Sequence, residues 1–112
     1  MQLKKARQIL KSLADDTRLR IINLLSKKEL TVSELCKILN KAQPNISKHL
    51  TRLRLTGLAS DKRRGLNVYY RLLRSQDKAY NSLLNSITIG LAQLEIFKQD
   101  LAKLSKLKTD RK

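Results

Sequence analysis

The stretch Thr31-Val-Ser-Glu-Leu-Cys-Lys-Ile-Leu-Asn-Lys-Ala-Gln-Pro-Asn-Ile-Ser-Lys-His-Leu-Thr-Arg-Leu-Arg54 decides the fold, because its apolar residues form two short helical periods around a three-residue turn. The first period opens on a capping box. The Thr31 hydroxyl is placed to accept from the amide of Glu34, and the Glu34 carboxylate to reach back to Thr31. Leu35, Ile38 and Leu39 make its buried stripe, and Asn40-Lys41-Ala42 turns the chain. The second helix has Pro44 in its first turn, where the missing amide hydrogen costs nothing, and buries Ile46, Leu50 and Leu53 at 3.6-residue spacing. Its other face carries Gln43, Asn45, Ser47, Lys48 and Arg52. Amides, a hydroxyl and cations near a helix N-terminus are the groups that read base edges and phosphates in a major groove. The segment 31–56 therefore reads as a helix-turn-helix.

Working outward, Gly57 sits where a left-handed cap would end the second helix. Residues 58–72 then form two extended runs on either side of Arg64-Gly65, a β-hairpin with the consecutive cations Lys62, Arg63 and Arg64 at its tip. Val68, Tyr70 and Leu72 alternate with Asn67, Tyr69 and Arg71, so one face can pack on the helices while the other meets solvent or DNA. A hairpin directly after such a helix is a wing; the plainer alternative is a surface turn.

Before the motif, Gln2 to Leu13 reads as a helix with Leu3, Ala6, Leu10 and Leu13 on one stripe. A second helix, capped by Asp15 or Asp16, runs to about Ser26 around Leu19, Ile22 and Leu25, with Ile21 and Leu24 widening the apolar face. After the wing, residues 77–108 read as one long helix with Ser75 as its N-cap and Leu84, Ile87, Leu91, Leu94 and Leu101 along a seam that Lys98 interrupts. Gly90 stands inside it at a local cost of about 1 kcal/mol. The tail from Lys106 to Lys112 is expected to fray. A long helix without support is marginal in water, which predicts a homodimer through residues 1–14 and 77–108, with Leu3, Leu10, Leu13, Leu84, Ile87, Leu91 and Leu94 at the interface. The expected fold is mainly α with a small β-hairpin, a single winged-helix domain over 1–112 with five helices and the hairpin before the last.

Charge points to the same class of partner. The 112 residues hold 25 Lys and Arg against 9 Asp and Glu, a net charge of +16, and such a field attracts a polyanion. From Leu35 to Gln76 there are ten basic residues and one acidic residue, Asp61, too one-sided for an ordinary solvated face. No apolar run reaches the roughly 18 residues that span a bilayer, and Met1-Gln-Leu-Lys-Lys5 has no secretory apolar stretch. No membrane partner and a cytoplasmic location are expected. Cys36, the only cysteine, excludes an internal disulfide and suits a reducing compartment. Enzymatic chemistry finds no nucleophile set, glycine-rich phosphate loop or paired carboxylates.

Several segments together are specific to one family: Leu13-Ala-Asp-Asp-Thr-Arg-Leu-Arg-Ile-Ile-Asn-Leu-Leu25, Gln43-Pro-Asn-Ile-Ser-Lys-His-Leu50, Leu53-Arg-Leu-Thr-Gly-Leu58 and Val68-Tyr-Tyr-Arg-Leu72. With the order of elements, they give nearly the whole chain the look of the arsenic-repressor type (ArsR/SmtB-like) of winged-helix transcription regulators. The resemblance implies a homodimeric repressor that leaves a palindromic double-stranded operator when a metal, metalloid or oxidant reaches a sensor site. It implies DNA contacts for Gln43, Asn45, Ser47 and Lys48, with His49 expected as a further DNA-binding residue on the same helix, and a minor-groove approach for Arg63 and Arg64. Ala42 departs from the pattern, standing where such proteins often have a capping Ser or Thr.

The sensor residues depart further. Arsenic sensors of this type have two thiols in Glu-Leu-Cys-Val-Cys-Asp-Leu; the matching stretch Glu29-Leu-Thr-Val-Ser-Glu-Leu35 has Thr31 and Ser33 in the thiol places, and hydroxyls are poor ligands for a thiophilic ion. Residues 77–112 hold no His or Cys for the resemblance's other site, which lies on the terminal helices. Cys36 reads as a small buried hydrophobe or, alternatively, as a redox thiol. No metal site and no cofactor are expected, and the sequence names no effector. The competing functions are a sequence-tolerant architectural DNA-binding protein and a basic module for an acidic partner or RNA.

Overall fold

A computed structural model describes residues 1–110, with side chains described through Leu107. The chain runs α1 (Leu3–Leu13), α2 (Asp16–Leu25), β1 (Leu30–Thr31), α3 (Val32–Leu39), α4 (Gln43–Leu55), β2 (Ala59–Arg64), β3 (Asn67–Leu72), α5 (Lys78–Leu91) and α6 (Glu95–Asp110). Local chemistry sets most of these boundaries. Asp15 caps α2, its carboxylate accepting from the Arg18 amide at 3.0 Å. The capping box of α3 is complete, with Glu34 N to Thr31 Oγ1 at 3.1 Å and Thr31 N to Glu34 Oε1 at 2.9 Å. Asn40 ends α3 in the left-handed region at φ 54. Beyond α4, Gly57 takes φ +79, its amide bonding to Arg54 O at 3.1 Å and that of Leu58 to Leu53 O at 2.9 Å. These two bonds make a Schellman motif, which satisfies the last carbonyls of the helix.

The core lies between α2, α3, α4 and the base of the hairpin. Ile21, Ile22, Leu24, Leu35, Ile38, Ile46, Leu50, Leu53 and Leu58 are all buried in it, so both helices of the motif present their predicted apolar stripes inward. The sheet has three strands in the order β1-β3-β2, with Leu30 opposite Tyr70 and Thr31 opposite Tyr69 on one side of β3. Ala59 pairs with Leu72 and Arg64 with Asn67 on the other. The two residues of β1 had no signal of their own in the sequence; they are a strand only because β3 offers them an edge.

The terminal segment differs from expectation. Rather than one helix over 77–108, it forms α5 and α6 separated at Ala92-Gln93-Leu94, and its N-cap is Asp77, whose carboxylate accepts from Ala79 N at 2.9 Å. The Ser75 hydroxyl accepts from Asp77 N instead. The break lets α6 fold back onto α2 and α3, burying Phe97 and Leu104. Burial of large apolar side chains contributes about 2 kcal/mol apiece, enough to favour a turn over a free helix. Lys98 is exposed on α6, so the residue that interrupted the seam lies on the solvent side of that helix. Helix α6 continues through Lys106 to Asp110 rather than fraying there; Arg111 and Lys112, the rest of the expected loose tail, lie outside the described residues.

Two leucines expected between subunits belong to the core of one chain. Leu13 is 4% exposed and Leu84 is 0% exposed. Tyr80 secures α5 beside Leu84: its hydroxyl lies 2.9 Å from Leu73 O and 3.1 Å from Gly57 O, tying α5 to the ends of the hairpin and α4.

Candidate nucleic-acid interface

Helix α4 divides cleanly between core and solvent. Ile46, His49, Leu50 and Leu53 face inward, while Gln43, Asn45, Lys48, Thr51, Arg52 and Arg54 are exposed and Ser47 is half-exposed. The predicted readers Gln43, Asn45, Ser47, Lys48 and Arg52 thus share one accessible helix surface. Sequence reasoning passed over Thr51 and Arg54, which the helical period puts on the same side. Ala42 at the N-cap makes no side-chain bond; the amides of Asn45 and Ile46 instead close on Ala42 O at 3.1 and 3.2 Å.

His49 is a correction. Expected among the DNA-binding residues, it is only 9% exposed and turns towards the start of α2. Its Nδ1 lies 3.1 Å from Arg18 Nη1 and 3.8 Å from an Asp15 carboxylate oxygen. A guanidinium only donates, so Nδ1 accepts and the ring is neutral, with its proton on Nε2. Burial pushes the imidazole pKa below its ordinary value; Asp15 opposes this, and Arg18, Lys48 and Lys41 add to it. Arg18 also donates from Nε to Ser12 O. The cluster is a structural clasp between α1, α2 and the buried side of α4.

The hairpin carries its cations outward. Lys62, Arg63 and Arg64 are exposed, and the register puts Lys62 opposite Tyr69 on one face and Arg63 opposite Val68 on the other. Arg64 is already engaged within the chain: its guanidinium is 2.7 Å from a Glu29 carboxylate oxygen and 5.3 Å from the centre of the Tyr69 ring. It therefore braces the wing against the segment before β1, a role that its place in a run of cations concealed. A glycine-first, two-residue turn, Gly65 at φ +62 followed by Leu66, closes the hairpin.

Leu10, Leu13, Ala14, Leu19, Ser86, Ile87, Gly90 and Leu91 line an open apolar groove between α1 and α5, with Leu19 contributed by α2. Leu10 on its wall and Leu3 at the start of α1 are exposed, Ile87 and Leu91 are half-buried, and Leu94 sits in the α5–α6 break at 48% exposure. Leu13 is the floor of this groove rather than a projecting contact. Gly90 leaves open space where a Cβ would stand.

Thr31 and Ser33 occupy the thiol places of the arsenic motif, and Thr31 is engaged as the cap of α3. Cys36 is a free, half-buried thiol packed against the core. Among the described residues no group of three or more His, Cys, Asp or Glu is close enough to hold a metal ion, and no helix is long and apolar enough to cross a membrane.

A helix-turn-helix followed by a two-stranded wing, with an exposed polar face on the second helix, defines a winged helix-turn-helix protein. Residues 15–61 match the bacterial regulatory protein arsR family. The transcriptional activator HlyU of Vibrio cholerae is 36% identical over 83 residues, 74% of this chain and 77% of that protein. The structure of reduced HlyU from that organism superposes with a TM-score of 0.69 at 30% identity, covering 82% of this chain and 90% of the other. The chain belongs to the arsR family. It is also similar to the arsenical resistance operon repressor of Escherichia coli, 52% identical over 66 residues, 58% of this chain. That match spans only 56% of the repressor's length. The homodimeric winged helix-turn-helix DNA-binding domain of Mb0332 from Mycobacterium bovis has a TM-score of 0.65 at 28% identity, covering 83% and 84% of the two chains.

Proposed function

We propose that this chain is a cytoplasmic, homodimeric transcriptional repressor that reads a palindromic double-stranded operator. The observation that carries this reading is the surface of α4, where Gln43, Asn45, Ser47, Lys48 and Arg52 are accessible while Ile46, Leu50 and Leu53 pin the helix to the core. Two copies joined along the α1–α5 groove present two such helices. A twofold pair of recognition helices enters successive major grooves roughly 34 Å apart, with Lys62 and Arg63 of each wing on the flanking backbone. Relatives named as repressors, from Escherichia coli and Bacillus subtilis, support repression over activation, although the HlyU relative is named an activator.

The regulator works without the arsenic-type thiol pair. Cysteine is absent from positions 31 and 33, and the Thr31 oxygen accepts the Glu34 amide. Sub-micromolar, stoichiometric binding of arsenite, zinc or cadmium would overturn this part of the reading.

Competition binding at physiological salt between the DNA upstream of the chain's own gene and random duplex tests the main claim. A regulator prefers its site by about 10³-fold or more, and Gln43→Ala costs about 1–3 kcal/mol on that site with relaxed preference at one base pair. Equal loss on both DNAs would favour the sequence-tolerant architectural reading that the +16 charge otherwise invites.

A further inference from the structure

The wing ends in an apolar side chain that stays outside the core. Leu66 is 97% exposed, the most exposed of the large hydrophobic residues. Turn chemistry does not ask for it: the second central position of a glycine-first hairpin turn suits small polar residues. Gly65 beside it has no side chain, and nothing lies within 4 Å of where its Cβ would be, so Leu66 alone forms the apex of an open, thin tip. Lys62 and Arg63 flank that apex from opposite faces of the hairpin. Arg64, held by Glu29 and laid over Tyr69, stiffens the strand that carries it. The result is a braced apolar point with a cation on each side.

We propose that Leu66 is a wedge that enters the operator minor groove beneath each wing and partly unstacks one base step, kinking the duplex there towards its major groove. This rests on the DNA-binding reading above. The minor groove is about 6 Å wide, narrow enough that cations on both faces of a thin tip reach the phosphates of its two walls while the apex meets the bases. Leucine is among the side chains that architectural proteins insert in this way, and the kink is compensated by the extra surface that bent DNA contacts. Specificity then gains a component at the flanks of the site, because pyrimidine–purine steps kink most easily.

The experiment uses the full chain and a duplex selected by it from a random library, labelled at both ends for energy transfer and carrying 2-aminopurine at successive flanking positions. The wild-type protein is expected to bend the duplex and brighten 2-aminopurine at one step per half-site. Leu66→Ala should abolish both signals and weaken binding by about tenfold, the equivalent of 1.4 kcal/mol, whereas Leu66→Met should retain them. Leu66→Lys separates the wedge from simple attraction, since it adds a positive charge yet should still bind more weakly than wild type. Melting curves matching wild type establish that these tip variants fold. Unchanged bending by Leu66→Ala, or tighter binding by Leu66→Lys, overturns the wedge and leaves the regulator reading intact. Failure of the wild-type chain to enrich any sequence overturns both.

Discussion

Arg20 and Asp100, eighty positions apart, form a two-pronged ion pair: Nε to one carboxylate oxygen at 2.9 Å and Nη2 to the other at 2.8 Å. The Asp100 side chain is 0% exposed and that of Arg20 is 16% exposed. This pair fastens α6 to α2, next to the buried Phe97 and Leu104. The aspartate side raises the guanidinium pKa above its already high value, chiefly through the hydrogen bond itself.

Breaking one side should be costly. Arg20→Met leaves a carboxylate buried without its cation, and removal of one partner of a buried pair costs about 3–5 kcal/mol. The double change Arg20→Met with Asp100→Leu should recover most of that loss, because both desolvation penalties vanish together. Urea unfolding of the three proteins measures it; equal stability of Arg20→Met and wild type would show that the pair does not hold α6.

The His49 clasp makes stability depend on pH. The folded imidazole has a pKa below 6.5, with burial as the main cause, so the unfolded chain binds more protons as pH falls below 6.5. Stability from this group is complete above that value and is lost on acidification through the folded pKa, with a slope no steeper than about 1.4 kcal/mol per pH unit. Asp15 behaves separately. Burial works against its charge, but the Arg18 amide, the Arg18 guanidinium and, once it has protonated in acid, the His49 ring hold its pKa below 3.8, so its contribution disappears only at more acidic pH. His49→Gln offers Arg18 an acceptor that does not titrate. Urea midpoints between pH 7 and 5 should fall for wild type and stay flatter for the variant; parallel curves would refute the assignment.

The α1–α5 groove is expected to hold the second subunit. Leu10→Glu places a charge on an exposed residue, which spares the monomer fold but must be desolvated at an interface. Light scattering should report a dimer constant weakened by about a hundredfold, near 3 kcal/mol. Leu55→Glu is the control, since Leu55 is 75% exposed at the far end of α4. Dissociation by Leu55→Glu but not by Leu10→Glu would move the interface elsewhere.

What the sequence carried by itself was local. The Thr31–Glu34 capping box, Pro44, the Gly57 cap, the 3.6-residue stripes of α3 and α4, and the alternation in β3 depend on neighbours within a few positions, so residue type and spacing suffice to read them. The accessible face of α4 followed from the same periodicity. Only the tertiary structure decided which apolar residues face this chain's own core and which remain open. Leu13 and Leu84 sit on the same stripes as Leu10 and Ile87, and periodicity cannot tell a core contact from a subunit contact. Nor could it place His49 against Arg18, Arg64 against Glu29 or Arg20 against Asp100. Each is a pairing of charged or polar groups distant in sequence, and its free energy arises only after the backbone has brought both partners out of water together.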